Sequence, residues 1–537
     1  MARYSSFGRL DSQYLTDGDR GFRGIDSYLE PTSLEAGSVE VAENMRLEGD
    51  LAETRKGLEF KAGNVTFTYS STDRVFASAI FSDPATNSEF IIVATKDKAI
   101  LWNENNDSGV DIAYPVGEIV TSAMNPSFVQ AAERIILFRG TGEKPLEWDG
   151  DYTTPTAFTV KENSTPIAGR VECPNTNFGI YFGNRLIVPQ PSDSLYTLVA
   201  SDILDTDNFY EADSQFRLNS GSSAGGIVGA IGYQENQLIV FQRNSIFLIN
   251  NITTTSVANV YEITNQHGCV ARKSIAASGP QIYFLTDSGV MTLQQGLDPA
   301  KGLGVAISKV SGESIPLSRP IQDQFSEVNF ASADKAVGKV FDNKYYLALP
   351  GTTSSTTNDR CLVFNILTNS WSSVDSFPAG FQIDDFVVIK HGSKRRLFAV
   401  SDRGWHLMEE TDGAIDKTGT IGNATTTSTA VSARLRTRSY TLGDLSVKSW
   451  KQGQLGVEVK NGDQFSIDVK TTDPDRTNTV LSYSSNADEE LLLRFGSGRV
   501  RGYAAQVEVN VTRGRPKIRH VSMNGIVAGL NSRREVA

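Results

Sequence analysis

Between residues 90 and 408 the chain returns seven times to one pattern: a short apolar strand, a tight polar turn and a second apolar strand. The seven segments are 90–102, 134–148, 185–199, 238–249, 282–293, 345–371 and 397–408, and their starts lie 44, 51, 53, 44, 63 and 52 residues apart. A four-stranded propeller blade repeats about every 40 to 50 residues once insertions are allowed. Turn residues agree with hairpins: Lys96-Asp97-Lys98, Arg243-Asn244-Ser245, Asp287-Ser288-Gly289 and Asp402-Arg403-Gly404 supply side chains that cap turns and tolerate left-handed backbone. The expected class is all-β, a β-propeller of six or seven blades. The long gap at 296–330 leaves the blade count open.

Seven blades would use about 350 residues, so a chain of 537 has material on both sides of the ring. The division expected is an N-terminal arm with a hairpin over 1–60, packing near the C-terminal domain. The propeller follows over 61–412, a Thr-rich linker over 413–430, and an antiparallel β-sandwich over 431–537. In the arm, 41–60 reads as strand, Glu48–Asp50 turn and strand, with Gly49 free to take positive φ. In the C-terminal part, Val457-Glu458-Val459 and Val507-Glu508-Val509-Asn510-Val511 alternate with the period of a half-buried strand. Glycines 225, 226, 229 and 232 suit an inner strand crowded near a propeller axis.

No run approaches the ~18 apolar residues of a spanning helix, and the opening MARYSSFGRLDSQYL has no apolar core of a signal peptide. Three distant cysteines, Cys173, Cys269 and Cys361, argue for buried free thiols in a reducing cytoplasm rather than a disulfide framework or a zinc site. The net charge of −11 disfavours a broad grip on nucleic acid phosphates. That charge is uneven: from Arg434 onward there are 17 Lys and Arg against 11 Asp and Glu, so the rest of the chain is strongly acidic. Complementary neighbours are implied, within one subunit or between subunits.

Catalytic signatures are missing. The four histidines, His267, His391, His406 and His520, have no ligand spacing. The literal GxSxG at Gly221–Gly225 follows a polar loop and precedes a glycine-rich strand, not the strand–helix setting of a nucleophile elbow. The GxG pairs at Gly302 and Gly496 open no helix. Neighbouring acids such as Asp384/Asp385 point to opposite faces of a strand, which suits acid–base work poorly. Thr286–Gly289 and Ser401–Trp405 resemble the Asp-box turns of sialidase-like propellers, with the Ser or Thr one place too close to the Asp. The expectation is a non-enzyme with no cofactor and no metal.

The stretch Gly24–Gly57 resembles the opening of tail nozzle proteins of the tail tubular protein B type from short-tailed bacteriophages. The matching positions are Gly24, Pro31, Glu43, Asn44, Gly49, Leu51, Arg55 and Gly57. Two further segments are similar to such proteins: 343–371, and 433–451 with its Thr-Arg-x-Tyr-x-x-Gly-Asp run before Lys448 and Trp450. The resemblance implies a virion tail protein, assembled in the host cytoplasm as a homohexameric nozzle ring. Such a ring docks to an adaptor ring, neighbours tail fibre or distal tail proteins and meets the host surface at its tip. Viral DNA would pass and be gated in the lumen without sequence-specific binding, and an acidic wall would let it slide. Arg434, Arg436 and Arg438 share one strand face and are the candidate subunit or adaptor contact. Two alternatives stand beside this: another phage head-completion or tail-stabilisation ring, and a carbohydrate-binding or glycoside-hydrolysing propeller. The last would need arginines, a tyrosine and acids converging at the blade tips, and no motif puts them together.

Overall fold

The computed structural model describes residues 15–527 except 62–73, 104–107, 155, 164–166, 191–194, 210–213, 219–224, 253–257, 298–305, 312–314, 412, 424, 445, 473–474 and 499. The GxSxG serines and the Gly302-Leu303-Gly304 run therefore lie outside the described residues.

Each hairpin found in the sequence is the middle of a blade. Blade 1 consists of Ala77–Asp83, Ser88–Ala94, Lys98–Asn103 and Ser108–Ala113, paired antiparallel in that order. Blades 2 to 5 repeat the meander, with inner strands at Ser127–Ala131, Ile180–Phe182, Ile227–Tyr233 and Ala276–Ser278. Blade 6 runs from Val337–Phe341 to Ser370–Ser376, and blade 7 holds Asp385–His391, Lys394–Ser401 and Gly404–Thr411. Six of these units are separate four-stranded sheets, and the seventh, blade 6, is continuous with a ten-stranded sheet that reaches into the C-terminal domain. Among the described residues of 296–330 there is no further blade: Ala306–Ser311 is the outer strand of blade 5, and the described part beyond it folds into short helical turns.

Burial explains the repeat. Alternate residues of each middle strand face the two neighbouring blades, and both faces are dry. Seven apolar clusters result, one per gap between blades. Trp102 of blade 1 meets Trp405 of blade 7 at 5.3 Å between ring centroids, which seals the last gap. Along the axis, small residues let blades approach: a Cβ on Gly232 would sit 2.4 Å from the Phe182 ring of the neighbouring blade. The two Asp-box-like turns share one geometry. Thr286 Oγ1 donates to the Gly289 carbonyl at 2.8 Å and Ser401 Oγ to that of Gly404 at 3.1 Å.

The C-terminal residues form two facing sheets. One contains Lys448–Val459, Glu489–Gly496 and Lys517–Val527; the other contains Ala433–Thr437, Gln464–Thr472, Arg476–Ser484 and Ala504–Arg513. Val457, Ile467, Val469, Val509, Val521 and Met523 fill the space between them. The Thr-rich segment read as a linker carries a two-stranded ribbon, Ile415–Thr418 against Thr427–Ala430. β-Branched threonine favours an extended backbone, so a polar composition there did not mean loose chain.

Blade 7 lacks a fourth strand of its own. Gly57–Phe60 from the N-terminal arm supplies it, with His406 opposite Phe60. His406 is fully buried, 5.1 Å from the Phe60 ring and 4.9 Å from that of Phe381, and burial pushes its imidazole down to about 3. An unfolded histidine titrates near 6.5, so between pH 6.5 and 3 the unfolded chain binds the proton and the folded chain does not. Stability is therefore lost as pH falls through that window, by about 3 kcal/mol at pH 4 from this group. Urea unfolding at pH 7 and pH 4 should show a smaller acid penalty for His406→Leu than for the natural chain.

Candidate interface at the propeller–sandwich junction

The arm joins everything that follows it. Leu15–Arg20 pairs antiparallel with Lys517–Val527 of the sandwich. Ser38–Glu43 pairs with Ala433–Thr437 on one side and touches Ser370–Ser376 of blade 6 through Glu43 and Val374. Met45–Glu48 and Leu51–Thr54 form the hairpin read from sequence, and its second strand pairs with Lys517 and Ile518. Gly49 and Asp50 both take positive φ, 59° and 62°, the requirement of a two-residue turn that matches strand twist.

Asn44 is the point where the arm leaves the first sheet for the second. Its φ is 52°, a region asparagine tolerates better than other side chains do. Its Nδ2 donates to Ser376 Oγ at 2.9 Å and the Ser432 carbonyl at 2.8 Å, while Oδ1 accepts from the Ser376 amide at 3.0 Å and Arg55 Nε at 2.9 Å. Arg55, 2% exposed, spends all five N–H donors in this site. Two go to Asp416 in a fork at 2.8 and 2.7 Å, one each to the carbonyls of Lys56 and Ser376, and one to Asn44. The guanidinium also lies over the Phe377 ring at 4.9 Å. Gly57 is required by contact rather than by φ, because a Cβ would fall 1.9 Å from the Ile415 carbonyl oxygen.

A second buried fork stands nearby. Arg46 donates to both oxygens of Asp375 at 2.8 and 2.7 Å and to Glu409 at 2.7 Å, tying the arm to blades 6 and 7. Burial pushes the Asp375 carboxyl up, but Arg46 outweighs it and the net shift is downward. The sequence had marked Arg55 but passed over Arg46, whose acids lie more than 300 residues away.

Arg434 and Arg436 stand in Ala433–Thr437 and Arg438 follows its end, and each holds acids of its own chain. Arg434 pairs with Glu43. Arg436 donates to Glu508 at 2.6 Å and Glu40 at 3.2 Å. Arg438 donates to Asp17 at 2.6 Å and Asp19 at 2.9 Å, and Asp19 also accepts from the buried Tyr440 hydroxyl at 3.0 Å. Their immediate work is to fasten the arm to the sandwich, which is where much of the basic surplus of the C-terminal part meets its acidic complement. Cys173, Cys269 and Cys361 are free and buried, and desolvation raises all three thiols. Among the described residues no group of three or more His, Cys, Asp or Glu is placed to hold a metal ion, and no helix is long and apolar enough to cross a membrane.

No family model matches the chain, and no curated protein matches it. Among solved structures it is similar to a chain from the crystal structure of the mitotic checkpoint complex, at 9% identity and a TM-score of 0.38, covering 77% of this chain and 96% of that one. It is similar also to a chain from the structure of BBS1N in complex with ARL6DN, at 9% identity and a TM-score of 0.37, covering 66% and 97%. Likenesses this distant carry no argument about activity, and the propeller rests on its own strand order.

Asp416→Asn keeps the shape of the junction but leaves the Arg55 charge in a dry site. Urea unfolding is expected to show a loss of about 3–5 kcal/mol, and limited proteolysis an earlier release of the arm. Replacing both partners with Arg55→Met and Asp416→Leu should recover much of that loss.

Proposed function

We propose that this chain is a structural subunit of a short-tailed phage tail: one protomer of a hexameric nozzle ring that conducts and gates the genome during ejection and docks to an adaptor ring. The observation that carries the reading is where the resemblance falls. Of the nozzle-like positions of the arm, Asn44, Arg55 and Gly57 fasten it to blade 6 and to the ribbon that precedes the sandwich, and Gly49 turns its hairpin. They are spent on rigidity rather than on chemistry. A subunit that bears load in a tube needs its two parts joined as one body, and a borrowed strand with buried ion pairs does that. The overall acidic charge adds support, since a like-charged lumen wall lets DNA slide.

Light scattering on the purified full chain, with negative-stain images of the same sample, tests the reading. Six-fold rings with an axial hole are expected, alone or after addition of the adaptor. A chain that stays monomeric in both conditions would overturn it.

A further inference from the structure

The resemblance leaves one charged site unused. On the face where the inner strands begin, a cavity of about 350 Å³ opens over the propeller axis, walled by segments that lead into blades 1, 2, 5, 6 and 7. The sequence scattered these residues between Arg74 and Asp402; the ring brings them to one mouth. This is the convergence of arginines and acids that no motif announced.

Some of its charges are answered locally. Arg74 pairs with Asp402 at 3.0 Å, and Lys273 pairs with Asp385 at 3.1 Å while also donating to the Asp384 carbonyl. Arg272 is different. Among the described residues no carboxylate lies within ion-pair distance of it; its NH1 donates to the Asn177 carbonyl at 3.2 Å, and its guanidinium lies over the Phe178 ring at 5.0 Å. Burial holds that guanidinium down at about 10, still charged at neutrality. Lys335, at the exposed rim, likewise bonds only a carbonyl, that of Thr356 at 2.9 Å.

The acceptor side is equally specific. Asp384 accepts from Gln382 Nε2 at 2.8 and 3.1 Å, and burial pushes its carboxyl up to about 6. Asn358, 2% exposed, donates both Nδ2 hydrogens, to the carbonyls of Lys335 and Ile383 at 2.8 Å each, which ties three wall segments together. Its buried Oδ1 meets no donor among the described residues. Phe76 stands half-buried in the same wall, an apolar surface among polar groups.

We propose that this axial mouth binds a saccharide unit bearing a carboxylate. Arg272 and Lys335 take the carboxylate, Asp384 and Asp402 accept ring hydroxyls, and Phe76 packs on the C–H face of the ring. The volume is at the small end of ligand cavities, sized for one or two sugar units. Inorganic phosphate would satisfy the cations but bring up to two negative charges against Asp384 and Asp402 and offer no C–H face to Phe76. A ring carrying both hydroxyls and a carboxylate offers donors to Asp384, Asp402 and the Asn358 Oδ1 and an anion to Arg272 and Lys335. The proposal does not rest on the tail reading.

The test is saturation-transfer NMR on the full chain with glucuronate and glucose as probes and inorganic phosphate as the competitor. Transfer to the glucuronate ring protons is expected, with glucose binding more weakly. Arg272→Gln and Lys335→Gln should each weaken glucuronate by roughly tenfold, the loss of one charge-assisted bond. Lys335 is exposed, so that variant keeps the fold even where Arg272→Gln disturbs packing. No transfer to glucuronate at millimolar concentration, equal affinity in Lys335→Gln and the natural chain, or loss of most of the glucuronate signal on adding an equimolar amount of phosphate would each overturn the proposal.

Discussion

The rest of the structure depends on a buried fork between Arg55 and Asp416. Both side chains are 2% exposed, so both charges have left water, and that transfer costs several kcal/mol per ion unless every hydrogen-bonding group is met. Here they are met: Arg55 has five donors and five acceptors, and Asp416 accepts from the Leu58 amide as well. The arrangement is stable only as a whole. Remove one acceptor and a dry charge remains, which is why the same residues that fasten the arm also dictate where it runs.

What the arm fastens is a ring. A propeller closes when its last blade meets its first, and the ends of a chain of several hundred residues must be brought together against loop entropy. In this protein the closing strand comes from Gly57–Phe60, upstream of blade 1, and completes blade 7. The same arm then ties blade 6 to the sandwich through Ser38–Glu43, so the core between blades 5 and 6 continues into the sandwich without a break. Arg46 repeats the device one turn of chain earlier, with Asp375 from blade 6 and Glu409 from blade 7. Closure and attachment are one event rather than two.

Much of the architecture could be read from residue patterns. Each of the seven hairpins marked in the sequence is a pair of middle strands, because both faces of those strands are dry and the apolar run is unbroken. Gly49 could be placed in a turn because a two-residue hairpin demands positive φ there. At Thr418–Thr429 composition did not announce the ribbon that brackets the stretch, because its pairing of Ile415–Thr418 with Thr427–Ala430 depends on contact across the intervening turn. Arg434, Arg436 and Arg438 could be picked out as a group, but nothing local could say that their acids are Asp17, Asp19, Glu40 and Glu43 of the arm together with Glu508.

Period-two alternation, turn residues and the recurring hairpin are local properties, and the sequence by itself therefore determined the strands, the repeat and the all-β class. Which blade borrows its fourth strand, which acid answers each arginine, and the gathering of Arg272 and Asp384 at one cavity involve residues tens to hundreds of positions apart. Hydrogen-bond pairing and desolvation act through space, with no trace in spacing along the chain. Only the closed ring, by fixing where each inner strand begins, decided those.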